Sequence, residues 1–289
     1  MVHSKQIFWI LILCFGVFYG CHETEIDHTK MVVEGWIGAG DHPVVMLHTS
    51  YSLSTNDTTN STFVDVLMHH MVLFSRIVIF DGEDSVILTG RVDSSYLPPY
   101  IYTTTKLKGE EGKTYHLKAT YKNFSVSSQT TIPDRVYLDS IRVDIQNENA
   151  LVNGYANNLT IGNTYVIHAR RGLSGQYLLC PLGVFRANSQ QMVLQIRNPI
   201  NWSDLGSLLN FDFPHLEENV SIRIAQIGEE EYQILNGVAS QTITQGLLFM
   251  ETYSNIPTNI IGGNGYWCGL GASEYIISLS KSRTYRYDR

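Results

Sequence analysis

The feature that most constrains this chain is the recurrence of short β-branched and aromatic runs, each closed by turn-forming residues, over almost its whole length. "KMVVEGWI" (Lys30–Ile37), "PVVMLHTS" (Pro43–Ser50), "YIYTTTKL", "KTYHLKATY" and "FSVSSQTTI" are apolar or alternating over strand length. β-Branched side chains lose rotamer freedom against a preceding helical turn, so these runs favour strands. "RIVIFDGEDSVILTG" (Arg76–Gly90) is the clearest hairpin, two apolar runs around Asp81-Gly82. Asn123 reads as a turn residue, and the Asn/Thr-rich segment Ser52–Phe63 as a surface loop. Roughly seven short strands in about a hundred residues, with turns every 8–12, is the pattern of an antiparallel sandwich.

The pattern breaks at "TTIPDR", where Pro133 and Asp134 interrupt it, and resumes with "YLDSIRVDIQ" (Tyr137–Gln146). "NTYVIHARR", "MVLQIR", "NVSIRIAQI" and "EYIISLS" continue it. One segment departs: in "GEEEYQILNGVASQT" (Gly228–Thr242), Tyr232, Leu235 and Ala239 recur at helical spacing behind three glutamates. Acidic residues in a first turn complement the helix dipole. The expected fold is all-β, with two antiparallel β-sandwich-like domains. Residues 31–134 form an Ig-like or transthyretin-like sandwich, and residues 135–289 a second β-rich domain with one amphipathic helix near 229–241.

The N-terminus carries a different signal. Lys5 precedes an unbroken apolar run, Ile7–Gly20. As a helix it would span about 21 Å, short of the ~30 Å hydrocarbon core of a bilayer. A cationic start, a short apolar core and a small residue before a boundary describe a secretory signal over residues 1–20. Gly20-Cys21, followed by "HETEID", resembles the bacterial lipobox, whose cysteine is acylated and becomes the mature N-terminus. Cys14 lacks the small preceding residue, since Leu13 stands there. Cys21 is therefore the expected lipidation site, residues 21–30 an acidic tether, and the lipid anchor the expected membrane partner. The alternative is an ordinary cleaved signal that leaves Cys21 as a thiol.

Composition excludes some roles. A formal charge of −7 and the absence of any Lys/Arg run beyond Arg170-Arg171 disfavour nucleic-acid binding. Hydrophobic content of 44%, with 17 Tyr and 11 Phe, argues for a folded chain. With Cys21 acylated, Cys180 and Cys268 are left either to pair as a disulfide in an oxidising compartment or to stay as two buried thiols.

The order "MVVEGWIGAGDHPVVMLHTS", "GKTYHLKATYKNFSVSSQTTIPDRVYLDSI" and "SNIPTNIIGGNGYW" resembles the Bacteroidota lipoprotein family catalogued as domain of unknown function 4249. The resemblance spans nearly the whole mature chain. "GYWCGLG" (Gly265–Gly271) departs from the family's aliphatic turn, and Thr160–Ser189 matches nothing in it. It implies a lipoprotein of the outer membrane, surface-exposed or periplasmic-facing, and an accessory role beside a TonB-dependent nutrient receptor. It brings no catalytic residues.

The residues themselves name little chemistry. No GxSxG elbow, HExxH, P-loop or strand-to-helix GxGxxG is present, so no enzyme, cofactor or metal site is expected. "GGNGYWCGLG" (Gly262–Gly271) reads as a tight β-turn motif, and His69-His70 as a solvated loop or strand edge. Tyr96, Tyr100, Tyr102, Trp202, Tyr266 and Trp267 are candidate ligand or partner aromatics, with core packing the competing reading. Thr58, Ser85 and Ser140 follow aspartate in short motifs that resemble the Bacteroidota O-glycosylation sequon. The expected function is a non-catalytic binding component of the outer membrane; a surface adhesion or assembly component is the alternative.

Overall fold

The computed structural model describes residues 29–50, 68–146, 149–173, 177–196, 219–245 and 256–287. Cys21, Thr58, Trp202 and the Ser52–Phe63 loop lie outside these residues.

The chain is all-β, and its sixteen described strands form three sheets. The largest has eight strands in the order β12-β11-β14-β15-β1-β2-β6-β5. These are β12 (Leu178–Arg186), β11 (Thr164–Arg171), β14 (Asn219–Ile227), β15 (Asn264–Ser278), β1 (Met31–Gly38), β2 (Val44–Thr49), β6 (Tyr100–Thr103) and β5 (Thr89–Val92). A four-stranded sheet orders β4 (Ser85–Ile87), β3 (Arg76–Phe80), β7 (Thr114–Tyr121) and β8 (Phe124–Thr131). The other orders β13 (Met192–Ile196), β10 (Asn149–Ala156), β9 (Ser140–Gln146) and β16 (Arg283–Arg286). The Asp81-Gly82 hairpin forms as β3–β4, and Lys122-Asn123 closes β7–β8.

Strand periodicity sorts side chains onto two faces. Met31, Val33 and Ile37 of β1, with Trp267 of β15, point into one core beneath β3, β7 and β8. Tyr275 and Ile277 of the same β15 enter a second core with Ile222 and Ile224 of β14 and Ile141 and Val143 of β9. The even residues Cys268, Leu270 and Ala272 face the opposite side, toward the helix.

The two expected sandwiches therefore share one sheet, and β15 is the strand they share. Asn264–Leu270 pairs parallel with β1, and Gly271–Ser278 pairs antiparallel with β14. The break at Pro133-Asp134 separates the two small covering sheets, but not the large sheet. Ile260 and Trp267, sequence-distant from residues 31–134, complete the first core.

Trp267 is fully buried, and its indole N–H donates to the Tyr115 carbonyl at 3.0 Å. Burying an aromatic side chain of this size contributes roughly 4–6 kcal/mol before entropy is counted. The glycine-rich motif is strand for most of its length rather than a tight turn. Gly262, at φ +83°, supplies the turn into it. A Cβ on Gly269 would lie 2.6 Å from the Thr131 carbonyl oxygen, so glycine there lets the end of β8 cross β15.

The helix forms as α1 (Glu229–Gln245), with Glu229, Glu230 and Glu231 in its first turn. Its apolar side is wider than the expected stripe. Leu235 and Tyr232 pack on the large sheet, while Ile234 and Val238 meet Ile256 and Tyr266. No described helix is long and apolar enough to cross a bilayer.

Candidate functional site

A cleft of about 590 Å³ opens where β15 leaves β1 and joins β14. Ala272–Tyr275 form one wall, and Tyr137 and Leu138 of the linker between the covering sheets form the other. Asp41, Arg135, Arg223 and Tyr287 close it.

The local order follows from backbone bonding. Ala39 N–H donates to the Leu270 carbonyl at 3.0 Å, the last bond that the β1 end makes to β15. Val136 N–H donates to the Gly271 carbonyl at 3.2 Å, which pins the linker. The Tyr275 hydroxyl accepts from Leu138 N–H at 2.7 Å and so holds the opposite wall.

Charges at the cleft are compensated. Arg223 is 7% exposed, donates to Asp41 at 3.0 Å and stacks on the Tyr177 ring, 3.9 Å from its centroid. Arg170 lies 4.4 Å from the same ring and pairs with Glu274 at 2.7 Å. Arg135 donates to the Ala39 carbonyl at 2.8 Å and pairs with Glu111 at 2.9 Å. A desolvated guanidinium on an aromatic face gains on the order of 2 kcal/mol, which offsets part of the cost of burying it.

Burial opposes ionisation of Glu274, yet the Tyr177 hydroxyl and Arg170 outweigh it and hold the carboxyl below its ordinary range. Burial, with the Arg223 charge added, pushes His168 down to about 3 and keeps it neutral. Burial raises the Tyr287 hydroxyl to about 12. Tyr287 lines the cleft, and its buried hydroxyl has no hydrogen-bond partner among the described residues. On the helix side of the sheet, a smaller cavity of about 50 Å³ touches Arg223, His168, Tyr177, Trp36 and Tyr266.

Most residues singled out from sequence lie elsewhere. Tyr102 and Trp267 are core residues, not surface aromatics. Tyr102 accepts from Ser75 N–H at 2.9 Å and donates to the Val72 carbonyl at 2.8 Å. Tyr100 meets Tyr102 edge-on at 5.3 Å. Tyr96 stacks on Trp36 at 6.4 Å, on the sheet face that carries Arg170 and Arg223. Tyr266 is partly buried against α1 and Ile256. Ser85 is exposed at the start of β4, and Ser140 is partly buried at the start of β9. His69 and His70 lie in a helical turn, where His70 Nδ1 is 3.1 Å from the Thr49 hydroxyl.

Cys180 and Cys268 are free, buried thiols, the second of the two alternatives open to them. Cys180 points into the core under β9 and β10, whereas Cys268 faces α1 from the other side of the sheet. Their strands stand three positions apart in the sheet, roughly 14 Å at ~4.8 Å per strand. A disulfide needs Cα atoms within about 7 Å.

Residues 21–275 match the family described as Domain of unknown function (DUF4249). The chain belongs to that family. The DUF4249 match takes in Asp41, Arg135, Arg170, Arg223 and Glu274, and ends at Tyr275, before Tyr287. A search of curated proteins returns no match. The cleft residue Arg223 was missed because its signal is weak, a single charge inside the apolar run "NVSIRIAQI", and its neighbours behind the cleft, His168, Arg170 and Tyr177, fall within Thr160–Ser189.

Proposed function

We propose that this DUF4249 chain is a lipid-anchored outer-membrane protein of a Bacteroidota cell that binds a ligand without transforming it, as accessory to a TonB-dependent nutrient receptor. The observation that carries the binding role is the cleft at the seam of the two cores, a size typical of ligand sites. Its ionisable groups are suited to holding rather than reacting. Glu274 is kept ionised by its neighbours, and His168, beside the smaller cavity that Arg223 also lines, is kept neutral, so neither titrates near neutral pH as a general acid or base would.

The anchor rests on Ile7–Gly20 and Cys21, and the family match begins at that cysteine. Two or more acyl chains give stable anchoring, at ~0.8 kcal/mol per buried CH₂. The receptor association rests on the family resemblance.

Palmitate labelling of wild type and Cys21→Ala tests the anchor: label is expected only on wild type, and equal labelling removes the anchor. Affinity purification in gentle detergent is expected to recover a TonB-dependent receptor. Recovery of pilus or secretion components instead would favour the adhesion or assembly reading.

A further inference from the structure

Among the described residues, the cleft contains an open strand edge in the middle of the large sheet. β15 has strand partners on its β1 side only for Asn264–Leu270, and on its β14 side for Gly271–Ser278. Beyond Leu270 its β1-side edge has no strand partner among the described residues.

The two ends of this open stretch are closed. At one end the Leu270 carbonyl accepts from Ala39 N–H. At the other, the Tyr285 hydroxyl accepts from Ser278 N–H at 2.8 Å and donates to the Ser278 carbonyl at 3.2 Å. Leu270 and Ser278 thus both turn backbone groups away from β14. Residues of an antiparallel strand alternate between facing their partner and facing away, so Ala272, Glu274 and Ile276 face the same open side. No hydrogen bond from their amides or carbonyls to a described residue occupies that side. The open stretch is about 26 Å long at ~3.3 Å per residue.

We propose that this edge, in the place β1 vacates, takes an extended peptide segment as an added strand. The proposal rests on the binding role above and names its ligand class. The geometry selects a peptide because a strand edge presents donors and acceptors at a spacing that only another extended backbone matches. Exposed edges are ordinarily blunted by bulges, charges or covering loops, whereas this one opens into a cleft. Tyr137 and Leu138 form the facing wall, and Tyr287 lines the cleft beside them. The guanidinium and carboxylate groups at the cleft already compensate one another, so recognition falls mainly on the peptide backbone and tolerates varied side chains.

The test uses the full mature chain and a fluorescent pool of random hexapeptides blocked at both ends, beside the same pool N-methylated at every residue. The unmodified pool is expected to bind at least tenfold more tightly than the N-methylated pool, and to slow hydrogen exchange at Ala272, Glu274 and Ile276. Ile276→Pro removes one edge N–H and is expected to weaken binding about fivefold or more relative to Ile276→Ala, which keeps that N–H. Should Ile276→Pro fail to fold, the N-methylation contrast on wild type decides. Equal binding of both pools, or no protection of the three amides, would overturn the proposal. Peptide binding without receptor recovery would remove the accessory role alone; receptor recovery without peptide binding would remove this inference alone.

Discussion

His48 ties stability to pH in a way that can be worked out. It lies on β2 and is 3% exposed. Burial, reinforced by His70, pushes its pKa down from 6.5 to about 4. The folded chain therefore holds His48 neutral, while the unfolded chain protonates it below about pH 6.5. Its contribution is fully present above the unfolded value and is lost as pH falls from there through about 4; below that, both states carry the proton. Linkage gives a loss of about 1.4 kcal/mol at pH 5.5 and about 3 kcal/mol at pH 4. His168, at about 3, acts in the same direction. Asp81, held at about 2 chiefly by its hydrogen bond to Lys113, acts below pH 3.8. His48→Asn isolates one group. Urea unfolding at about pH 8 and pH 5.5 should show the variant losing about 1.4 kcal/mol less than wild type across that step. Equal losses in the two proteins would refute the reasoning.

Two further outcomes follow from the packing. Gly269→Ala should destabilise by about 1–3 kcal/mol in the same unfolding assay, because its methyl meets the Thr131 carbonyl; a midpoint within error of wild type would contradict that crossing. Cys180 and Cys268, whose thiols burial pushes well above their ordinary range, should resist alkylation in the folded chain at neutral pH. Both should react in urea without reductant, and a disulfide-linked peptide in a non-reduced digest would contradict the free thiols.

Parts of the fold were legible because they depend on local physics. The hairpin at Asp81-Gly82 and the turn at Asn123 are written in turn chemistry, and the strands around them in alternation. The helix was legible from Tyr232, Leu235 and Ala239. Its second buried side, Ile234 and Val238, was not, because that depends on Ile256 and Tyr266 arriving from later in the chain. The aromatics show the same limit. Nothing in "GGNGYWCGLG" distinguishes a binding Trp from a core one; the position of Tyr115, more than a hundred residues earlier, made Trp267 core.

The sequence by itself determined an all-β chain, its main turns and one helix. Each of these rests on residues within one turn or strand of one another. Only the tertiary structure decided that the two sandwiches share β15, that Cys180 and Cys268 lie on opposite faces, and that a strand edge with no strand partner among the described residues lines a cleft. These depend on which strand β15 pairs with at each position, from Asn264 beside Val32 to Ser278 beside Asn219. A period-two pattern says which face a side chain takes, but not which distant backbone lies beside it.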